Sequence, residues 1–383
     1  MDTSSTTSGP QFVGEIGVKG ELYISVDKSE YYAGDTISGR LNVLVSETIH
    51  CDTLVFTITG EESAQWSSRG DHHSRYQEFL KHEILVNVLP NPYLPGEYLY
   101  PFSYTLPADI PGVLDADSLD GDLQALHATI KYTLKASIKV EGRFVSDLES
   151  THALVVRERH RGTAETSQGV ERTVSKRVRM LGCINRGTCH VAASMKKNVL
   201  ALGETARVDI FVNNHTSSAS IKHVSCRVYQ DVTIPDPKGS GMRKVCSRPL
   251  LQVRATGPKS GELLERPMDF VLAGKLRFPS TEGSFVKCSY RITLECELFL
   301  AKTIKIDIPV TILPAQGPLQ PLPVAHELLL LHPSARSATP LPPAVPSSAA
   351  SSTSTSSAHS RASAAPYAHL AVPRTPATID LMA

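Results

Sequence analysis

The chain has 383 residues, 41% of them hydrophobic, and a formal net charge of +1. On a prior of about 150 residues per domain it holds two or three ordinary domains, and the apolar share can fill their cores. Near-neutral charge gives no global field for nucleic acid or an acidic substrate, and with no run of about 18 apolar residues no membrane span is expected.

Residues 1–11 read as a polar leader. They lack the apolar segment of a secretory signal, and Asp2 rules out the myristoylation pattern. Residues 12–157 form a first β-rich block. Its clearest strand places Ile130, Tyr132, Leu134, Ala136, Ile138 and Val140 on one face, against Lys131, Thr133, Lys135, Ser137 and Lys139 on the other. Only a half-buried strand sorts residues with a period of two. Residues 158–186 are charged and poorly periodic and read as a basic linker. Residues 187–314 form a second β-rich block, in which Val286, Cys288, Tyr290, Ile292, Leu294, Cys296, Leu298 and Leu300 alternate with polar residues. Residues 315–383 are rich in Ala, Ser, Pro and Thr and sparse in charge, a composition expected to stay disordered because it buries too little apolar surface. Many strands between Gly, Pro and Asn turns predict an all-β chain of two tandem immunoglobulin-like β-sandwich domains with that tail. Seven scattered cysteines argue for a reducing compartment, and the expected location is cytoplasmic.

One turn is written twice. "KSEYYAGDTISG" (Lys28 to Gly39) and "KNVLALGETARV" (Lys197 to Val208) share Lys, five residues, then Gly-Asp/Glu-Thr, and Gly34 and Gly203 lie 169 positions apart. At the same offset Leu22, Ile24 and Val26 align with Val191, Ala193 and Met195. The repeat predicts one duplicated sandwich, with glycine supplying a positive φ in each turn.

Two further blocks carry a family resemblance. "YYAGDTISGRLNV" and "GEYLYPFSYTLPADIPGVL" resemble the arrestin N-terminal domain. "NVLALGETARVDIFVNNHTSSASIKHVSCRVYQ" and "FVKCSYRITLECELF" resemble the arrestin C-terminal domain. The likeness is closest to the α-arrestin, or arrestin-domain-containing, group. It implies a non-enzymatic cytosolic adaptor in membrane-protein trafficking, able to reach the plasma membrane or endosomes. The implied partners are membrane-protein cargo, phosphorylated or not, and sorting or ubiquitination machinery. A retromer-type coat subunit is the alternative within the same fold. No Pro-Pro-x-Tyr motif for ligase recruitment occurs in this sequence.

Catalytic chemistry finds little footing, since no phosphate loop, nucleotide-binding glycine fingerprint or Gly-x-Ser-x-Gly elbow is present. No catalytic residue, metal or cofactor is expected. The competing enzymatic reading is a metal site in the loop carrying Asp71, His72, His73 and His82, and "CINRGTCH" (Cys183 to His190) offers three more potential ligands without zinc-finger spacing. Lys131, Lys135 and Lys139 form a stripe that could meet phosphorylated cargo or acidic lipid. The basic linker could touch a membrane, but with no interleaved aromatics it does not suit nucleic acid. In the tail, Pro340, Pro342, Pro343 and Pro346 could form a polyproline II segment for an SH3-type partner.

Overall fold

The computed structural model describes residues 19–315 except 69, 87–89, 122, 142–144, 161–168 and 236–242. The leader and the tail beyond Ala315, with Pro340, Pro342, Pro343 and Pro346, lie outside the described residues. The first sandwich is built from β1 (Gly20–Val26), β2 (Tyr31–Tyr32), β3 (Thr36–Val45), β4 (Cys51–Ser68), β5 (Asp71–Val86), β6 (Gly96–Thr105), β7 (Leu114–Gly121), β8 (Gln124–Val140), β9 (Leu148–Leu154) and β10 (Val156–Arg157). The second is built from β11 (Val170–Met180), β12 (Ile184–Met195), β13 (Val199–Ala201), β14 (Thr205–Asn213), β15 (Ile221–Pro235), β16 (Arg243–Thr256), β17 (Leu263–Val271), β18 (Thr281–Glu282), β19 (Lys287–Leu298) and β20 (Ile304–Leu313).

In the first sandwich the sheet β1-β3-β6 faces a larger sheet around β4 and β8. The predicted alternation on β8 is observed: its six apolar residues are buried, while Lys131, Lys135 and Lys139 are exposed. Apolar side chains from the two sheets meet between them, as where Phe56 on β4 and Phe102 on β6 have ring centroids 4.5 Å apart. β6 lies at a sheet edge, which suits Pro101, a residue with no N–H for a further ladder. In the second sandwich β11-β12-β14-β17 faces a sheet ordered β13-β20-β19-β15-β16. The two larger sheets are continuous, because Cys246 and Ser247 on β16 pair with Gly121 and Asp120 on β7.

The duplicated turn is the same object in both halves. Gly34 has φ 86° and Gly203 has φ 95°, the left-handed region that glycine enters without penalty. In the first copy the Tyr32 N–H donates to Asp35 at 2.9 Å; in the second the Ala201 N–H donates to Glu204 at 3.0 Å. Asp or Glu after the glycine therefore closes the turn through its side chain. The flanking strands repeat too: β2 pairs in parallel with β10 and β13 with β20, each time joining the turn to the last strand of its sandwich.

Within the span read as a linker, 158–186, Val170–Met180 forms strand β11. It edges its sheet, seven of its eleven side chains are exposed and only Val178 is buried, so the strand carries no period-two apolar alternation to read.

Six cysteines are buried and Cys183 alone is exposed. Burial pushes the thiols of Cys189 and Cys288 up to about 11 and that of Cys226 to about 12, with Cys296 raised further. A raised thiol holds its proton, and the thiol is not the reactive form. Maleimide at pH 8 should therefore label one thiol per native chain and seven after denaturation. Labelling of several thiols before unfolding would contradict the buried placement.

Candidate functional site

The far end of the second sandwich brings together two tight turns. Residues 181–183 link β11 to β12, and residues 299–303 link β19 to β20. The Leu181 N–H donates to the Leu300 carbonyl at 2.8 Å, and Met180 bridges to Ala301. Leu181 has φ 50° and Leu300 has φ 52°. Leucine in this left-handed region costs roughly 1–2 kcal/mol, where glycine or asparagine sits easily. The strained backbone displays large apolar side chains in solvent: Leu181 is 65% exposed, Phe299 65%, Leu300 52% and Ile184 46%.

Next to this apolar tip lies a cavity of about 400 Å³ lined by Lys176, Arg177, Arg179 and Lys302, with no acidic residue in its wall. None of the four cations has an acidic partner among the described residues. The basic segment singled out in sequence thus supplies Lys176, Arg177 and Arg179, placed on a strand. The sequence alternation put Leu300 on the buried face of the strand that begins near Val286, but that strand ends at Leu298 and Leu300 stands in solvent in the turn that also carries Phe299 and Lys302, where the apolar pair Phe299 and Leu300 was the available sequence signal.

A second cluster lies at the seam between the sandwiches. Leu54, Phe56, Ile58, Ala64 and Trp66 point inward from β4, and Glu62 occupies the same column with no exposed surface. Its carboxylate reaches the turn between β18 and β19. There the N–H groups of Ser284 (3.0 Å) and Phe285 (3.1 Å), the Val286 N–H and the Ser284 hydroxyl all donate to it. A buried carboxylate without a cation is tolerated only where converging donors replace its water, and three successive N–H groups form such a nest. No cation partners Glu62 among the described residues. Gly283 is required here by close approach: a Cβ would lie 2.3 Å from Glu62 Oε1.

The same C-domain segment is held a few residues earlier. Thr281 Oγ1 donates to Glu158 at 2.7 Å and accepts the Gly112 N–H at 2.7 Å, while the Glu282 N–H donates to Glu158 at 2.9 Å. His160 Nε2 contacts the Ser280 carbonyl at 2.9 Å. The nearby Tyr132 hydroxyl donates to the Pro111 carbonyl at 2.6 Å, and burial first, then the charges of Glu158 and Glu62, push its phenol well above the ordinary range. Sequence alone signalled Glu62 only as an acid in an otherwise apolar inward column.

The other candidates are placed as follows. Lys131, Lys135 and Lys139 share the outward face of β8, where Lys135 pairs with Glu149 at 3.2 Å and Lys131 lies opposite Glu61 on β4. Asp71, His72, His73 and His82 are strung along β5. His72 contacts the Ser67 hydroxyl at 3.1 Å, His73 stacks on Trp66 with centroids 5.6 Å apart, and His82 packs on Tyr104. Cys183 is exposed at the tip, Cys189 is in the core, and His190 contacts the Ser175 hydroxyl. Neither histidine group converges on one point.

Two sandwiches, a twice-used turn and a short parallel pairing in each define the chain's relationships. Residues 21–160 match the family described as arrestin (or S-antigen), N-terminal domain, and residues 185–316 match its C-terminal domain. The chain belongs to the arrestin family. This arrestin is also similar to arrestin domain-containing protein A of Dictyostelium discoideum, 25% identical over 343 residues that cover 85% of this chain and 55% of the relative. The arrestin thus spans about half the length of that curated relative. No helix of its described residues is long and apolar enough to cross a membrane.

Proposed function

We propose that this arrestin is a non-enzymatic adaptor that works at a membrane surface, holding membrane-protein cargo on its sandwiches and passing it to sorting or ubiquitination machinery. The observation that carries the reading is the tip of the second sandwich. Strained leucines and Phe299 stand in solvent beside four cations that have no acidic partner among the described residues. Apolar side chains flanked by Lys and Arg suit the boundary of an anionic bilayer, where the side chains enter the acyl region and the cations meet headgroups. Exposed apolar residues on a strained backbone otherwise cost stability without return.

The test is co-sedimentation of the intact chain with phosphatidylcholine vesicles, with and without phosphatidylserine. Binding should require phosphatidylserine and weaken as salt rises, since exposed charges are screened over about 8 Å at physiological ionic strength. Absence of binding at low salt would defeat the reading.

Lys131, Lys135 and Lys139 are proposed as a secondary anionic contact for phosphorylated cargo. Changing all three to Gln should weaken binding of a multiply phosphorylated peptide severalfold and leave the melting temperature nearly unchanged. Equal binding would reduce the stripe to a solvated face. Cargo identity and the SH3-type partner of the proline segment stand as parts of the same proposal, approached by proximity labelling in cells; recovery of soluble metabolic enzymes alone, with no membrane protein or sorting factor, would count against the adaptor.

A further inference from the structure

We propose that the turn Gly283–Val286 is a carboxylate-binding site of the second sandwich, occupied in this state by Glu62 as an internal ligand, and that this contact is a releasable latch between the sandwiches. Three features of the seam carry it. First, four donors converge on the carboxylate: the N–H groups of Ser284, Phe285 and Val286 and the Ser284 hydroxyl all aim at Glu62. The turn is already held by its own bond from the Gly283 N–H to the Val286 carbonyl at 2.8 Å, so its shape does not derive from Glu62. Second, the ligand comes from the other sandwich, 222 residues away from Ser284, and it is uncharged donors that hold it. A carboxylate held by neutral dipoles can be replaced by another carboxylate, because no countercharge is stranded when it leaves. Third, the contact has an accessible flank. Ser284 is exposed, its Oγ also lies 3.0 Å from the Gln77 side-chain amide on β5, and the Arg75 guanidinium lies 4.6 Å from the Phe285 ring. The β4–β5 hairpin is therefore fastened over the turn by Glu62, Gln77 and Arg75 together, and lifting it uncovers the nest. The ligand that fits an uncovered nest is an acidic side chain of a partner.

Glu62→Ala removes Cγ, Cδ and both oxygens, which are the heavy atoms of acetate. Hydrogen exchange on the intact chain reads the site directly. In Glu62→Ala the amides of Ser284, Phe285 and Val286 should lose at least about tenfold in protection, the equivalent of one lost hydrogen bond, while core amides of β15 and β19 stay protected. Sodium acetate should restore most of the loss, and sodium chloride at the same ionic strength should not. Glu62→Gln fills the space with an amide that offers N–H against N–H, so protection should fall without any response to acetate. Gly283→Ala should mimic the loss by pushing the carboxylate away. Failure of acetate to restore protection in folded Glu62→Ala, or equal restoration by chloride, would overturn the proposal. Should Glu62→Ala not fold, wild-type protection of these three amides in Glu62→Gln would overturn it.

Discussion

A variant with Leu181→Asn, Phe299→Ser and Leu300→Asn should bind phosphatidylserine vesicles about a hundredfold more weakly than the wild type and be no less stable. Fully burying one large apolar side chain is worth about 1.5–3 kcal/mol. Three side chains that enter a bilayer boundary only in part together contribute roughly 3 kcal/mol, and each 1.4 kcal/mol is tenfold in Kd. The stability half of the prediction runs the other way. Leu181 and Leu300 hold left-handed backbone, at φ 50° and 52°, which asparagine adopts with less strain. Relieving it should leave the unfolding free energy unchanged or raised by up to about 1 kcal/mol. Function and stability thus part at the same residues, as expected where strain is retained for use. Vesicle affinity equal to the wild type, or a loss of affinity matched by unfolding, would show that the tip is structural.

Thr281→Val should cost about 2–4 kcal/mol of stability, measured by urea denaturation. The substitution is close to isosteric, so packing changes little. It removes a hydroxyl that works in both directions, donating to Glu158 Oε2 and accepting from the Gly112 N–H, each at 2.7 Å. A buried N–H left without a partner costs roughly 1–3 kcal/mol, and a carboxylate that loses a donor loses about as much. Glu158 keeps the Glu282 N–H, which bounds the effect. Thr281→Ser keeps the hydroxyl and should recover most of the loss. A Val variant as stable as the wild type would show that these hydrogen bonds do not hold the seam.

Much of the architecture was legible before any coordinates. The alternation on β8 and β19 is a local property of a pleated strand with one buried face, so sequence displays it directly. The repeated turn was equally legible, because its glycine and its acid act within four residues. β11 was not: an edge strand with exposed side chains resembles a charged linker, and its ladder to β12 is invisible in composition. The tip was half legible. Its cations stood out as a basic segment, but their meeting with Phe299, Leu300 and Lys302 depends on two hairpins from facing sheets ending at one place.

What the sequence determined by itself is the identity of the repeating unit: two sandwiches, the turn that opens each, and the faces their strands bury. Those follow from backbone periodicity and from glycine at a positive φ, both set within a few residues. Only the tertiary structure decided how the two units are joined. Glu62 and the amides of Ser284, Phe285 and Val286 are separated by more than two hundred residues, and a backbone N–H carries no sequence signature. A buried acid in an apolar column announces that a partner must exist, since its charge could not otherwise leave water. Which groups supply that partner is settled by how the sandwiches pack.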